Sequence, residues 1–143
     1  MGTRVVAWRR TDEDAGHSLA RVERRDGGWL FHGAEVLAGP QTLLACSFRV
    51  EVDDAWATRR VEATAVSARG ERRLVLTADH DRRWTRDGEP VPGLEVTRVE
   101  QTYRRLGPSR WRYSDDAHGA FELTVDDDGL VVEYTGMATR VAG

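Results

Sequence analysis

The sequence predicts an all-β protein built from antiparallel strands. Three observations lead there: apolar and polar residues alternate with period two through most of the chain, turn-forming residues interrupt that alternation about every 8 to 12 residues, and helical periodicity is weak. This is the spacing of strands in sandwiches, rolls and barrels. At 143 residues the chain suits a single domain spanning 1–143, because a chain of this size buries roughly 68–70% of its unfolded surface around one core. No linker, low-complexity tract or internal repeat divides it.

Taken in order, Thr3 to Arg9 reads as a strand and Ser18 to Arg25 as a second, with Leu19 and Val22 directed inward. Asp26-Gly27-Gly28 turns the chain, since glycine accepts the positive φ of tight hairpins. Trp29 to Gly33 returns, and Glu35 to Ala38 continues it or begins another strand before Gly39-Pro40. The clearest strand follows: Cys46, Phe48, Val50 and Val52 share one face, and Ser47, Arg49 and Glu51 the other. After Asp53-Asp54-Ala55, the run Thr58 to Ser67 puts the small residues Val61, Ala63 and Ala65 inward. Arg69-Gly70 closes that hairpin. Arg72 to Asp79 is apolar on both faces and reads as a central strand. Trp84 to Gly93, with Asp87-Gly88, Pro90, Pro92 and Gly93, is rich in breakers, so no stable strand is expected across it. Leu94 to Leu106, Arg110 to Ser114, Phe121 to Val125 and Leu130 to Tyr134 complete the strands. Ser114 to Gly119 is the expected flexible loop.

All 21 basic residues are arginine, and lysine, asparagine and isoleucine are absent, a bias that points to a GC-rich bacterial genome. The net charge of -3 is spread along the chain, which leaves no single-sign field for nucleic acid or anionic lipid surfaces. The lone Cys46, between Ala45 and Ser47, is expected to be an inert core thiol. No stretch nears the roughly 18 apolar residues of a membrane-spanning helix, and the first ten residues lack a signal-like apolar run. No membrane insertion and a cytoplasmic location are the expectations.

Catalytic motifs do not assemble. There is no Gly-x-Ser-x-Gly elbow, the cysteine has no basic neighbour, and no glycine-rich loop opens a helix. Asp126, Asp128 and Gly129 mimic part of a calcium loop, but Thr124 and Thr135 stand where ligands belong, so hairpin-turn chemistry is expected. Asp79-His80-Asp81 and Asp115-Asp116-Ala117-His118 lack metal-ligand spacing, and solvated turns explain them. The mid-strand Glu51, Glu62, Glu100, Glu122 and Glu133 read as exposed cross-strand partners for Arg49, Arg60 or Arg98. No cofactor is called for, and the protein is expected not to be an enzyme. The aromatic set is more informative. Trp8, Trp29, Trp56, Trp84 and Trp111 are joined by tyrosines and phenylalanines, often beside arginine, and suit either a pocket lining or the capped ends of a β-roll.

Val6-Ala7-Trp8-Arg9-Arg10, then Phe48-Arg49-Val50-Glu51-Val52-Asp53 leading through Trp56 to Thr58-Arg59, then Trp84 with Asp87-Gly88 and Pro92, resemble the bacterial putative glycolipid-binding family, a domain of unknown function. Gln101-x-Tyr103-Arg104, Arg112-Tyr113 and Leu123 through Tyr134 to Gly136 continue the resemblance in order. The segment of several strands that the family carries between the Trp84 to Leu94 loop and the Gln101 strand is missing here. The resemblance implies an antiparallel spiral β-roll or partly open barrel, similar to bacterial lipoprotein carriers that hold acyl chains.

Two functions follow as expectations. The first is a non-catalytic carrier or sensor for a lipid or glycolipid, with Trp8, Trp56, Arg59, Trp84 and Tyr103 at the mouth and Arg59 or Arg104 pairing with an acidic headgroup. The bland reading of both arginines is cross-strand ion pairing. The second is a structural or protein-interaction module, such as a homodimer, using exposed edges or the open face of the roll. An enzyme using strand-borne carboxylates is a third reading without a designated acid, base or substrate.

Overall fold

The computed structural model describes residues 2–40, 42–90 and 101–143. Within them lie β1 (Arg4–Arg10), β2 (Ala15–Arg25), β3 (Gly28–Ala38), β4 (Leu43–Asp53), β5 (Thr58–Ser67), β6 (Gly70–Ala78), β7 (Trp84–Arg86), β8 (Glu89–Pro90), β9 (Thr102–Arg105), β10 (Arg110–Asp115), β11 (Gly119–Val125), β12 (Val131–Tyr134) and β13 (Ala138–Ala142), and no helix. All are antiparallel members of one sheet, ordered β8-β7-β6-β5-β4-β3-β2-β1-β13-β12-β11-β10-β9. Strands adjacent in sequence pair throughout except β8 and β9, which lie at opposite ends of the order. β1 pairs with β13 and joins two meanders, β1–β8 and β9–β13. Among the described residues the sheet is open between its end strands β8 and β9, as expected for a partly open barrel or roll.

Residues directly paired across antiparallel strands share a face. The register Val6↔Ala20↔Gly33↔Phe48↔Ala63↔Leu74 traces one face across six strands. On the other side of β1 the same face runs from Arg10 through Ala138, Tyr134 and Leu123 to Trp111. It holds Val6, Ala20, Val22, Ala78, Tyr113 and Leu123, six of the seven buried apolar residues, and is the inner face. Leu30 is the exception, buried on the outer face beside its register partners Glu23 and Glu51. Farther along the inner face, Phe48, Val50, Val61, Leu74 and Leu76 remain only half-buried. No helix among the described residues lies over them.

Gly33 shows why this face needs close backbone approach. A Cβ there would strike the Leu19 carbonyl oxygen and come within 2.8 Å of Phe48 Cζ, so the missing side chain lets the Phe48 ring lie across β3.

Several expectations require correction. Leu19 points outward and is 48% exposed, whereas Ala20 and Val22 face the core, because pairing with Val6 and Arg4 sets the register of β2. Of the two readings of Trp29 to Ala38, the continuous one holds, in one unbroken strand. The breaker-rich segment carries two short strands, since Asp87 and Gly88 both take positive φ, at 48° and 87°, and form a two-residue hairpin between Arg86 and Glu89. Cys46 lies half-buried on the inner face and not inside a closed core. The Ser114 to Gly119 segment is a tight turn, with Asp115 almost wholly buried beneath it. β6 is half-buried on both faces as expected, but only two short strands separate it from the open edge. The portion of the 94–106 strand before residue 101 lies outside the described residues, as do Pro92, Arg98 and Glu100.

Candidate functional site

Antiparallel alternation brings the β2–β3, β4–β5, β6–β7 and β11–β12 connections to one edge of the sheet, the edge where β1 begins. Three of these loops have the same geometry. In each, an aspartate Oδ1 accepts two backbone N–H bonds, from residues two and four positions later: Asp53 from Ala55 and Ala57, Asp79 from Asp81 and Arg83, and Asp126 from Asp128 and Leu130, all at 2.9–3.0 Å. The aspartate carbonyl accepts from the residue three positions later, which has a positive φ: Trp56 at 62°, Arg82 at 59° and Gly129 at 80°. This is the three-residue hairpin loop whose left-handed position is ordinarily glycine. Gly129 obeys the rule. Trp56 and Arg82 do not, and holding a side chain there costs roughly 1–3 kcal/mol per residue.

The two exceptions share a groove. Trp56 and Arg82, with Ala55, Ala57, Thr58, Ala78 and Trp84, line a recess of about 380 Å³ at the sheet edge. That volume falls at the lower end of the range for small-molecule sites. Trp56 is 59% exposed, yet its ring folds over the inner face. It stacks on Trp29 at 5.6 Å between centroids and lies 6.1 Å from Phe31. Arg24 packs over the far ring, with Cζ 5.0 Å from the Trp29 centroid, and is held by Asp54 at 2.5 Å. The groove thus opens beside the half-covered apolar face. A smaller depression of about 160 Å³ against His32, Arg49, Glu62 and Arg73 lies among outer-face charges.

Arg59 ties the two strained loops together. Its Nε donates to Asp53 Oδ2 at 2.7 Å, with Nη2 in ion-pair contact with the same oxygen at 2.5 Å, and its Nη1 donates to the Asp79 carbonyl at 3.0 Å. The Asp53 carboxyl is held below its ordinary range, most strongly by the Ala57 N–H; burial opposes this, and Arg59 and the Ala55 N–H reinforce it. Arg59 therefore takes the ion-pairing role and positions Trp56 and Arg82.

The expected site residues divide into separate groups. Trp56 and Trp84 share the groove, and Arg59 braces it. Trp8 is half-buried on the inner face of β1, with Nε1 donating to the Val131 carbonyl at 2.8 Å. Tyr103 lies on the edge strand β9 against Tyr113, with centroids 5.3 Å apart, in a cluster with Phe121 and Tyr134. Arg104 pairs in register with Arg112 on the outer face. Sequence reading missed Arg82 and did not assign Trp29 or Phe31 to the site. The shared aspartate of Asp79-His80-Asp81-Arg82-Arg83 and Asp126-Asp127-Asp128-Gly129-Leu130 was the available signal.

The acidic turns are structural in their observed contacts. Asp126 Oδ2 accepts from Arg4 at 2.9 Å and Arg140 at 2.8 Å, so arginines fill the place a cation would take. Asp115 accepts the Tyr113 hydroxyl, and His118 Nδ1 lies 2.9 Å from its Oδ2. These bonds push Tyr113 up to about 12, chiefly through Asp115, and hold Asp115 far below the usual carboxylate range, chiefly through Tyr113. No group of three or more His, Cys, Asp or Glu residues among those described is arranged for a metal. Glu51 and Glu62 bond to Arg49 and Arg60 along their own strands, at 3.3 and 2.8 Å, and Glu122 bonds to Arg110 across strands at 2.7 Å.

Comparison with protein families places this geometry. The model of the family described as putative glycolipid-binding matches residues 5–94 and 90–140, nearly the whole chain. The chain belongs to that family. The two matched stretches overlap at residues 90–94. A solved DUF1089 family protein from Pseudomonas aeruginosa has the same fold, with a TM-score of 0.68 at 20% identity over 87% of this chain and 92% of that one. No curated protein matches the sequence. The putative glycolipid-binding family is thus established by sequence, and the all-β fold by sequence and structure together.

Proposed function

We propose that this member of the putative glycolipid-binding family is a non-catalytic carrier or sensor for a single-chain amphiphile. Its apolar tail would lie along the half-open inner face over Phe48, Val50, Val61 and Leu76, and its head would sit in the groove beside Trp56 and Trp84. The observation that carries this reading is the strained, 59% exposed Trp56 roofing Trp29 and Phe31 at the end of that face. An apolar surface kept partly open, with an indole held over it at a conformational cost, favours binding over simple core packing. Native mass spectrometry of detergent-free protein, before and after incubation with a bacterial lipid extract, tests it. The expected result is a discrete added mass that disappears in Trp56→Ala. An unchanged mass under both conditions counts against the carrier.

A second reading, a self-associating module, draws on the outer face. Val5, Leu19, Val36, Leu43 and Val66 are each 48–67% exposed and form a contiguous row across β1–β5, bridged by Ala34 and Ala45. Apolar rows of this extent mark interaction surfaces more often than open solvent faces. Sedimentation of wild type and Val36→Glu separates the readings: a dimer abolished by the substitution supports self-association, and a monomer at all concentrations rejects it.

A further inference from the structure

We infer that the ligand is an anionic amphiphile and that Arg82 recognises its charged head. This rests on the carrier reading and specifies the chemistry of that ligand. Of the residues lining the groove, Arg82 alone is charged; the rest are Ala55, Trp56, Ala57, Thr58, Ala78 and Trp84. Two nearby arginines are already committed. Arg24 is held by Asp54 at 2.5 Å and by the Trp29 ring, and Arg59 by Asp53 at 2.5 Å. Arg82 has no carboxylate partner within ion-pair distance among the described residues, and Asp79, which begins its loop, spends Oδ1 on the N–H groups of Asp81 and Arg83.

Arg82 also occupies a position that the fold fills more cheaply. The third loop of identical hydrogen bonding places Gly129 at the same point. A side chain is retained at Arg82 where glycine would relieve backbone strain, and that side chain borders a recess bounded by two indoles. A guanidinium beside apolar walls presents parallel N–H donors matched to phosphate, carboxylate or sulfate oxygens, while the indoles accept the adjoining methylenes. The shared chemistry is therefore an oxyanion joined to an apolar chain.

The test is calorimetric titration of the full chain with dodecyl phosphate, dodecyl maltoside and inorganic phosphate, below the micelle concentrations, using wild type, Arg82→Gly and Arg82→Gln. Wild type is expected to bind dodecyl phosphate at least tenfold more tightly than dodecyl maltoside. Both variants should lose that preference, their affinity for dodecyl phosphate falling to that for dodecyl maltoside, and Arg82→Gly should melt no lower than wild type, which separates lost recognition from lost folding. Equal binding of the two amphiphiles by wild type, or a preference that survives in both variants, overturns the anionic head and leaves the carrier standing. Inorganic phosphate binding as tightly as dodecyl phosphate overturns the amphiphile in favour of a simple anion site. If neither amphiphile binds wild type, the carrier reading fails and takes this inference with it.

Discussion

Single aspartates do more for this protein than its formal charge suggests. Asp126 joins the two meanders: its carboxylate takes Arg4 from β1 and Arg140 from β13, while Oδ1 closes its own loop. Burial works against its ionisation, but Arg140, the Leu130 N–H and Arg4 outweigh that and pull it down to about 2. A carboxyl depressed in the folded state contributes stability above its unfolded pKa and loses it as the pH falls through the folded value. The melting temperature should therefore hold above about pH 4 and drop between about pH 4 and 2. Asp126→Asn should cost about 2 kcal/mol near neutral pH, the scale of lost charge-assisted hydrogen bonds, and flatten part of the acid dependence. Thermal melts of both proteins from pH 2 to 7 check this; parallel curves would contradict it.

Among the strands, β2, β3 and β4 form the best-paired part of the sheet, with eleven registered pairs on each side of β3. Gly33 sits in the middle of that element, and a Cβ there meets backbone oxygen, a group that cannot move without breaking the ladder. Gly33→Ala should destabilise by about 1–3 kcal/mol, the usual cost of overpacking. A denaturant midpoint unchanged from wild type would show that the sheet absorbs the contact. Strand identity in this region was legible from alternation, because Cys46, Phe48, Val50 and Val52 do lie on one face. The facing of β2 was not, since Leu19, Ala20 and Val22 offer apolar choices to both sides and only the partners on β1 and β3 select between them.

At the scale of the whole molecule, five residues of β13 join the halves, because the described residues contain no other pairing between β1–β8 and β9–β13. That pairing closes contacts across more than a hundred residues, so its loss exposes the edge of β1 with nothing local to replace it. A chain ending at Met137 should lose cooperative unfolding. Circular dichroism during heating reads this directly, and a sharp transition near the full-length temperature would mean that the β1–β8 meander stands alone.

The sequence by itself determined the all-β class, the positions of nearly all the long strands, the turns and the family. These depend on local alternation and turn chemistry, which each segment carries with it. Tertiary structure decided which faces turn inward, that β1 meets β13, and that Trp56 and Trp84 share a groove while Trp8, Tyr103 and Arg104 stand elsewhere. It also decided that Arg59 is spent on Asp53 and that Arg82 borders the groove. Those outcomes depend on register between distant strands and on backbone angles at two loop positions. Neither leaves a periodic trace in the chain: the loop aspartate is the one local mark of these positions, and Trp56 and Arg82 lack the glycine that would make the left-handed residue plain.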